Sequence, residues 1–204
     1  MQSRGNAMKL AEIKRFFAKN RIFRLILGGQ VVWELPTVKK SLFFTSSGNF
    51  PVPEGMKSLT VRVISGGGAR GRDFLAAAGN PGGFGGIAVK TFSPAELTGL
   101  IGQTLAVTVG AGGAYGRDYE AYPGGVSSFG NLVSATAGTG GWSGAAGGAG
   151  QNGTGVGGDI NTNAVDTGLA VINGYHYGLG GGRGGPAGYA GAPGCILLEW
   201  EAYE

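Results

Sequence analysis

Two copies of one eight-residue pattern place charged and aromatic side chains within glycine-rich sequence. The pattern is G-G-A-x-G-R-D followed by an aromatic residue, at residues 67–74 and 112–119. Arginine binds phosphate and carboxylate groups through paired hydrogen bonds, and an aromatic ring adds contact area. We therefore predict two equivalent binding loops; the alternative is that Arg and Asp pair with each other for structure. The residues concerned are Arg72, Asp73, Phe74, Arg117, Asp118 and Tyr119.

Other aromatic residues also lie in or beside the glycine tracts rather than in strand-like segments. Binding loops combine Tyr and Trp, which give large contact area, with adaptable Gly, Ser and Asn. We therefore include Trp142, Tyr175, His176 and Tyr177 among the predicted binding residues. The alternative is that the rings pack over the body as part of its core. Further aromatic residues in these tracts are Tyr115, Tyr122 and Tyr189.

The sequence offers little catalytic chemistry. It has one His, His176, and one Cys, Cys195, which excludes a histidine cluster and a multi-thiolate metal site. Cys195 precedes an apolar strand-like segment, so we expect a buried, inert thiol. Neither a phosphate-binding loop nor a nucleophile elbow occurs. We predict that the protein is not an enzyme and has no cofactor or metal.

Short strands and glycine helices are the elements that would position these residues. Alternating apolar residues predict half-buried strands at 59–64, 105–109 and 196–201, and Ser93-Pro94 predicts the start of a helical turn. Gly recurs at every third position over 138–153 and 182–194, which is the repeat of the polyproline-II helix. We predict a mainly β body, a short-stranded sheet or sandwich with packed polyglycine-II helices. We also predict that these two runs pack on each other. The alternative is flexible glycine-rich loops.

Charge and glycine divide the chain into a basic arm, 1–40, and a glycine-rich body, 41–204. The arm has nine basic and two acidic residues, whereas the body has seven basic and ten acidic ones, and 45 of the 204 residues are Gly. Apolar residues near a 3.6-residue period predict an N-terminal amphipathic α-helix over 9–27, ended by Gly28-Gly29. We predict that the arm attaches the body to another protein; packing on its own body, a membrane surface or nucleic acid are the alternatives. The predicted attachment residues are Ile13, Phe16, Phe17, Phe23, Ile26 and Trp33.

No apolar run is long enough for a transmembrane helix, and no specific nucleic-acid motif occurs.

Several motifs follow one another along the body: F-T-S-S-G at 44–48, P-E-G at 53–55, L-T-V-R-V at 59–63, V-T-V-G-A-G-G at 107–113 and G-C-I-L-L-E-W at 194–200. This succession resembles the glycine-rich domain of tailed-bacteriophage fibre proteins, over about residues 42–201. It is also similar to glycine-rich adhesins at the tips of phage fibres.

The resemblance implies a virion protein that is assembled in the host cytoplasm. Loops between packed polyglycine-II helices would contact a bacterial surface receptor, an outer-membrane protein or a polysaccharide, and the arm would contact other virion proteins. Whether copies of the chain associate with each other is left open. The alternative is a structural or decoration subunit of the tail, baseplate or capsid that binds no receptor.

Overall fold

The computed structural model describes residues 24–71, 79–115, 121–142, 148–183 and 189–204. The prediction of a mainly β protein with polyglycine-II helices is confirmed in this part of the chain. The strands are β1 (Arg24–Leu27), β2 (Gln30–Glu34), β3 (Thr37–Phe44), β4 (Gly48–Pro51), β5 (Met56–Ile64), β6 (Gly86–Thr91), β7 (Thr104–Thr108), β8 (Ser127–Phe129), β9 (Val133–Ala135), β10 (Gly155–Val156), β11 (Ile160–Asn163), β12 (Val171–Ile172), β13 (Tyr175–His176) and β14 (Cys195–Tyr203); the helices are α1 (Pro94–Leu100) and α2 (Thr167–Ala170).

Two five-stranded antiparallel sheets form a β sandwich. One sheet has the strand order β4-β7-β8-β9-β10, and the other has the order β3-β14-β5-β6-β11. The alternation in β5 and β14 places one apolar row of each strand between the sheets, as the sequence predicts. Helix α1 begins with the predicted cap at Ser93 and adds Leu97 and Leu100 to this core. The buried residues of the sheets are Phe50, Leu59, Val61, Val63, Ala88, Val107, Phe129, Val133, Ala135, Ile196 and Leu198.

A second apolar cluster covers the outer face of the β3-β14-β5-β6-β11 sheet. Ile64, Ile87 and Cys195 are fully buried there under α2 and the β12–β13 hairpin. This hairpin turns at Asn173 and Gly174, both of which have positive φ. The chain between β11 and the last glycine segments therefore closes the second face of this sheet.

The N-terminal part of the described chain is a β hairpin. β1 and β2 pair antiparallel, and Gly28 and Gly29 have φ values of 58° and 81°. Two consecutive positive φ angles are typical of a two-residue type I′ hairpin turn, for which Gly-Gly is well suited. The prediction that an amphipathic helix extends to Leu27 is therefore wrong over residues 24–27, where two glycines terminate a strand rather than a helix. The rest of that predicted helix lies outside the described residues.

Seven glycine-rich segments adjoin strands of the two sheets, and an eighth, 178–183, follows β13. β5, for example, continues into residues 65–71, and residues 189–194 lead into β14. All eight segments leave the same end of the sandwich and form one bundle, which we call the glycine bundle. Its segments are 65–71, 79–85, 110–115, 121–126, 136–142, 148–154, 178–183 and 189–194.

Segment 65–71 is the centre of the glycine bundle. The amides of residues 66, 67 and 68 donate to three different neighbouring segments, and those of residues 69, 70 and 71 donate to the same three in the same order. This threefold repeat is that of a polyproline-II helix, whose amides point outward because the helix has no internal hydrogen bonds. The pairs are Gly66–Gly125, Gly67–Ala192, Gly68–Gly83, Ala69–Tyr122, Arg70–Tyr189 and Gly71–Asn80, with N···O distances of 2.8–3.0 Å.

Six segments surround the centre in a closed ring. The carbonyls of Gly66, Gly67 and Gly68 accept from the three segments to which the central amides do not donate. Each ring segment also hydrogen-bonds to both of its ring neighbours, and segment 148–154 packs outside the ring. The amides of the described segments are thereby paired between segments without a sheet. The order around the ring is 79–85, 136–142, 121–126, 110–115, 189–194 and 178–183.

In the described parts of the two period-three glycine runs, no hydrogen bond joins one run to the other. Segment 136–142 and segment 189–194 lie on opposite sides of the ring, with segment 65–71 between them. The prediction that 138–153 and 182–194 pack on each other is therefore wrong for segments 136–142 and 189–194; residues 143–147 and 184–188 lie outside the described residues. Every glycine edge offers the same bare backbone, so the period alone does not specify which segments meet.

Candidate binding surface at the free end of the glycine bundle

Four pairs of segment ends lie together at the end of the glycine bundle that is farthest from the sandwich. These ends are joined to one another by hydrogen bonds, since Gly71 donates to Asn80, Arg70 to Tyr189 and Trp142 to Gly148. Tyr115 and Ala121 also form a β bridge there. We call this surface the bundle tip. The segment ends that form it are residues 71, 79, 115, 121, 142, 148, 183 and 189.

Exposed aromatic side chains are concentrated at the bundle tip. Trp142 is 70% exposed, which is the largest exposure among the exposed large hydrophobic residues described. Tyr115 stacks on Tyr189, with ring centroids 5.2 Å apart and an angle of 27° between the rings. Tyr122 is also exposed. Because exposed Tyr and Trp give large contact area at low entropic cost, the bundle tip has the composition of a binding surface.

The two copies of the sequence repeat are neighbours in the bundle. The amide of Gly113 donates to the carbonyl of Gly67, and these residues occupy similar positions in the two copies. Their preceding strands, β5 and β7, belong to different sheets, and both segments nevertheless run to the bundle tip. Arg72, Asp73, Phe74, Arg117, Asp118 and Tyr119, the predicted binding residues of the repeat, lie outside the described residues.

The variable position of the repeat contributes residues to the bundle tip that were not among the predicted binding residues. This position is Arg70 in the first copy and Tyr115 in the second. Both side chains contact the ring of Tyr189, Arg70 from 5.7 Å above its centroid and Tyr115 by stacking. Arg183 at the end of a neighbouring segment was also missed. The signal that could have found Arg70 and Tyr115 was their shared place in the repeat.

Tyr175, His176 and Tyr177 are not at the bundle tip. They form and follow β13 on the outer face of the sandwich, where Tyr177 packs edge-on against Phe43 with ring centroids 5.5 Å apart. His176 Nε2 lies within hydrogen-bond distance, 2.8 Å, of the Ala164 carbonyl oxygen. Burial raises the pKa of Tyr177. The structure therefore packs Tyr177 on the second apolar cluster, with the ring of Tyr175 beside it, and does not join these residues with Trp142.

The predicted attachment residues that the structure describes lie in the N-terminal hairpin. Ile26 of β1 is exposed, and Trp33 of β2 is partly buried opposite Leu25. The other four, Ile13, Phe16, Phe17 and Phe23, lie outside the described residues. The hairpin precedes β3, which pairs with β14 from Thr37 onward, so the sheet already includes the last residues of the predicted arm.

Cys195 is buried, as the sequence predicts. It is the first residue of β14, has no exposed surface, and lies in the second apolar cluster. Burial raises the pKa of its thiol to about 12. A thiol with this pKa is protonated at neutral pH and is a poor nucleophile.

Among the described residues, no three His, Cys, Asp or Glu side chains are close enough to hold a metal ion. Over the same ranges, none of the helices has the length and apolar character needed to cross a membrane.

The fold and the bundle tip define a class of protein, a β sandwich whose strands continue into a polyglycine-II bundle with aromatic side chains at its free end. The model of a family described as "Glycine-rich domain" matches residues 45–196. Because this match spans more than half of the sequence, the chain belongs to the glycine-rich domain family. No curated protein matches the chain significantly.

Proposed function

We propose that this protein is a virion structural protein of a tailed bacteriophage, of the tail-fibre or fibre-tip adhesin type. The bundle tip would bind the surface of the host bacterium, and the N-terminal residues would attach the protein to other virion proteins. This proposal rests on the resemblance that the order of motifs from F-T-S-S-G to G-C-I-L-L-E-W carries.

The observation that carries the proposal is that the segment ends of the bundle tip and the exposed aromatic rings lie together. Eight described segment ends and the exposed rings of Tyr115, Tyr122, Trp142 and Tyr189 share one end of the bundle. A rigid scaffold that presents variable connections and aromatic residues at one end is typical of recognition proteins. A subunit with a purely structural role would not need its exposed aromatic rings concentrated there.

Removal of exposed rings from the bundle tip tests receptor binding. Fluorescently labelled full-length protein should bind cells of a susceptible strain, and Trp142→Ser should weaken this binding by about tenfold or more, as truncation of a hot-spot residue does. Val165→Ser removes another exposed apolar side chain from the sandwich and is the matched control. Equal cell binding by Trp142→Ser, Val165→Ser and the wild type would contradict a receptor-binding bundle tip.

Labelling of particles tests the place of the protein in the virion. A gold-labelled antibody against the sandwich should decorate fibre ends in electron micrographs of purified particles. Decoration of the capsid or baseplate, combined with no cell binding, would favour the structural or decoration subunit instead.

A further inference from the structure

We propose that Arg70 and Arg183 form a binding site for an acidic polysaccharide at the bundle tip. This inference rests on the proposed function and specifies the chemical class of the receptor. It is based on the fixed geometry of two arginine side chains, the rings beside one of them and the charge of the body.

Arg70 is held across the end of the glycine bundle. It projects from the central segment, and its Nε donates to the carbonyl oxygen of Gly79 at 2.7 Å. Its guanidinium lies 5.7 Å from the centroid of Tyr189, on the ring face. The side chain also lies against Gly182, where a Cβ would be 2.5 Å from Arg70 Cδ. Arg70 is therefore preorganised between three segments.

Arg183, at the end of ring segment 178–183, is held in the same way. Its Nε donates to the carbonyl oxygen of Gly82 at 2.8 Å, and its guanidinium lies 4.5 Å above the ring centroid of Phe84. Gly79 and Gly82 are three residues apart, which is one turn or about 9 Å of a polyproline-II helix. Both arginines are thus fixed to one edge of segment 79–85 with a defined spacing.

Within the described ranges, the Nη groups of both arginines have no hydrogen-bond partner and are offered to a ligand. In each case the hydrogen bond within the protein uses Nε, and neither arginine makes an ion pair with a carboxylate of the described ranges. A guanidinium whose Nη atoms are accessible binds carboxylate or phosphate with good geometry. Two such groups at a fixed spacing favour a ligand that carries regularly repeated anionic groups.

The rings beside Arg70 favour a saccharide as that ligand. Tyr189 and Tyr115 are stacked and exposed, so they offer a flat apolar surface next to the cation. The C–H face of a sugar ring packs against such a surface. The spacing of about 9 Å between the two arginine anchor points is comparable with the length of a disaccharide, the repeat of many acidic polysaccharides.

The charge of the body argues against a general polyanion site. Residues 41–204 contain ten acidic and seven basic residues, so a nucleic acid would not find a broad basic surface there. Recognition by Arg70 and Arg183 is therefore expected to be local and to depend on saccharide spacing.

Binding of defined saccharides to the full-length protein tests the proposal. The probes are oligosaccharides of hyaluronan, which carry a carboxylate on every second sugar, neutral dextran oligosaccharides, and single-stranded DNA as a polyanion, all measured by calorimetry at about 0.1 M salt. We expect hyaluronan to bind, dextran not to bind, and Arg70→Ala/Arg183→Ala to weaken hyaluronan binding by at least about tenfold. Lys39→Ala/Lys40→Ala changes the net charge equally at the far end of the sandwich and should bind as the wild type does.

A conservative variant separates binding from folding. Arg70→Lys/Arg183→Lys keeps both charges but loses the planar fork, so it should bind hyaluronan with intermediate affinity. The thermal unfolding midpoint of every variant is measured alongside. If the alanine variant does not fold, the lysine variant carries the test, and unchanged affinity in that variant would overturn the proposal. Equal binding of DNA and hyaluronan, full displacement of hyaluronan by inorganic phosphate at equal concentration, or no binding of hyaluronan would also overturn it.

Failure of this inference can be told apart from failure of the proposed function. Suppose that Trp142→Ser weakens the cell binding of the wild type but Arg70→Ala/Arg183→Ala binds cells normally. The proposed polysaccharide site is then wrong, whereas the proposed function as an adhesin stands. If hyaluronan binding depends on the arginines but the protein neither binds cells nor decorates fibre ends, the saccharide site stands and the proposed function is wrong.

Discussion

Ser65 lies where β5 ends and the central glycine segment begins. Its buried hydroxyl donates to the Ala135 carbonyl and accepts a hydrogen bond from the Ser127 amide at 2.8 Å. The hydroxyl of Ser127 in turn accepts from the Gly110 amide at 2.9 Å. Two serine side chains therefore join the ends of four strands or segments at the junction between sandwich and bundle.

Ser65→Ala should destabilise the protein. The substitution leaves the Ser127 amide and the Ala135 carbonyl buried without their partner, which costs about 1–3 kcal/mol in the free energy of unfolding. Chemical denaturation monitored by tryptophan fluorescence measures this loss. Ser128→Ala changes the neighbouring, partly buried serine of β8 and should cost less than about 0.5 kcal/mol. Equal losses for the two variants would show that the Ser65 network contributes nothing specific.

The sequence predicts some single residues better than others. The burial of Cys195 follows from its place at the start of an apolar strand, and it is observed. Ser65 gives no such signal, because its two partners are 62 and 70 residues away in the chain. Their position between glycines predicts that Tyr175 and Tyr177 are binding residues, but Tyr177 packs on the second apolar cluster and Tyr175 lies against it.

Segment 148–154 offers a matched pair of glycines for testing the bundle. A Cβ at Gly150 would lie 2.1 Å from the Thr139 carbonyl oxygen, whereas a Cβ at Gly148 would meet nothing within 4 Å. Gly150→Ala should therefore lower the free energy of unfolding by at least about 2 kcal/mol through overpacking. Gly148→Ala should leave stability unchanged or raise it by up to about 1 kcal/mol, because it restricts the unfolded chain.

Denaturant midpoints of the two variants decide whether close backbone contact holds the bundle together. Similar small effects at both positions would contradict the ordered bundle and favour loose glycine-rich loops. Gly144 and Gly188, which the period-three pattern also marks as packed, lie outside the described residues, and Gly144→Val and Gly188→Val remain predictions from sequence.

Helix α1 carries a pH-dependent contribution to stability. The carboxylate of Glu96 accepts from the Ser93 amide and is 2.9 Å from Lys90 Nζ. The ion pair with Lys90, followed by the hydrogen bonds from Ser93, lowers the pKa of Glu96 from 4.5 to about 2. Since the folded state holds the lower pKa, the stabilisation is complete above pH 4.5 and is lost as the pH falls toward 2.

Glu96→Gln should consequently melt at a lower temperature than the wild type at pH 7. The difference between their melting temperatures should shrink below pH 4.5 and disappear near pH 2. Lys90→Met should reduce the same pH dependence, because it removes the cation that contributes most to it. A difference between Glu96→Gln and the wild type that is constant from pH 7 to pH 2 would show that the lowered pKa is not linked to folding.

The sequence predicts the type of most elements but not their partners. Alternating residues identify β5, β7 and β14, and period-three glycine identifies polyproline-II segments, because each pattern reflects local geometry. Which glycine segments meet depends on where the sandwich strands release them, and the glycine edges themselves are alike. The last four residues of the predicted helix, 24–27, form a strand instead because Gly28-Gly29 also fits a tight hairpin turn.

The N-terminal hairpin and the bundle tip, the two ends to which we assign attachment and receptor binding, lie far apart in the described molecule. β14 begins at the bundle and ends at Tyr203, whose hydroxyl hydrogen-bonds to Glu34 of the N-terminal hairpin at 2.5 Å. Nine strand residues span about 30 Å, and the seven residues of segment 65–71 add about 20 Å. The hairpin therefore lies about 50 Å from the bundle tip, so contacts at one end leave the other end accessible.

Truncation before β3 tests whether the two ends act separately. β3 pairs with β14 from Thr37 to Phe44, so removal of residues 1–40 would take half of an edge strand from the sandwich, whereas removal of residues 1–35 leaves it whole. We expect the protein without residues 1–35 to unfold cooperatively and to bind cells as the full chain does. It should no longer be incorporated into particles, as measured by immunoblotting of purified virions from cells that supply only the truncated form. Trp142→Ser is the converse control, since it should be incorporated normally but bind cells weakly. Normal incorporation of the truncated protein would show that attachment does not depend on the N-terminal residues, and loss of cell binding together with normal folding would show that the two ends are coupled.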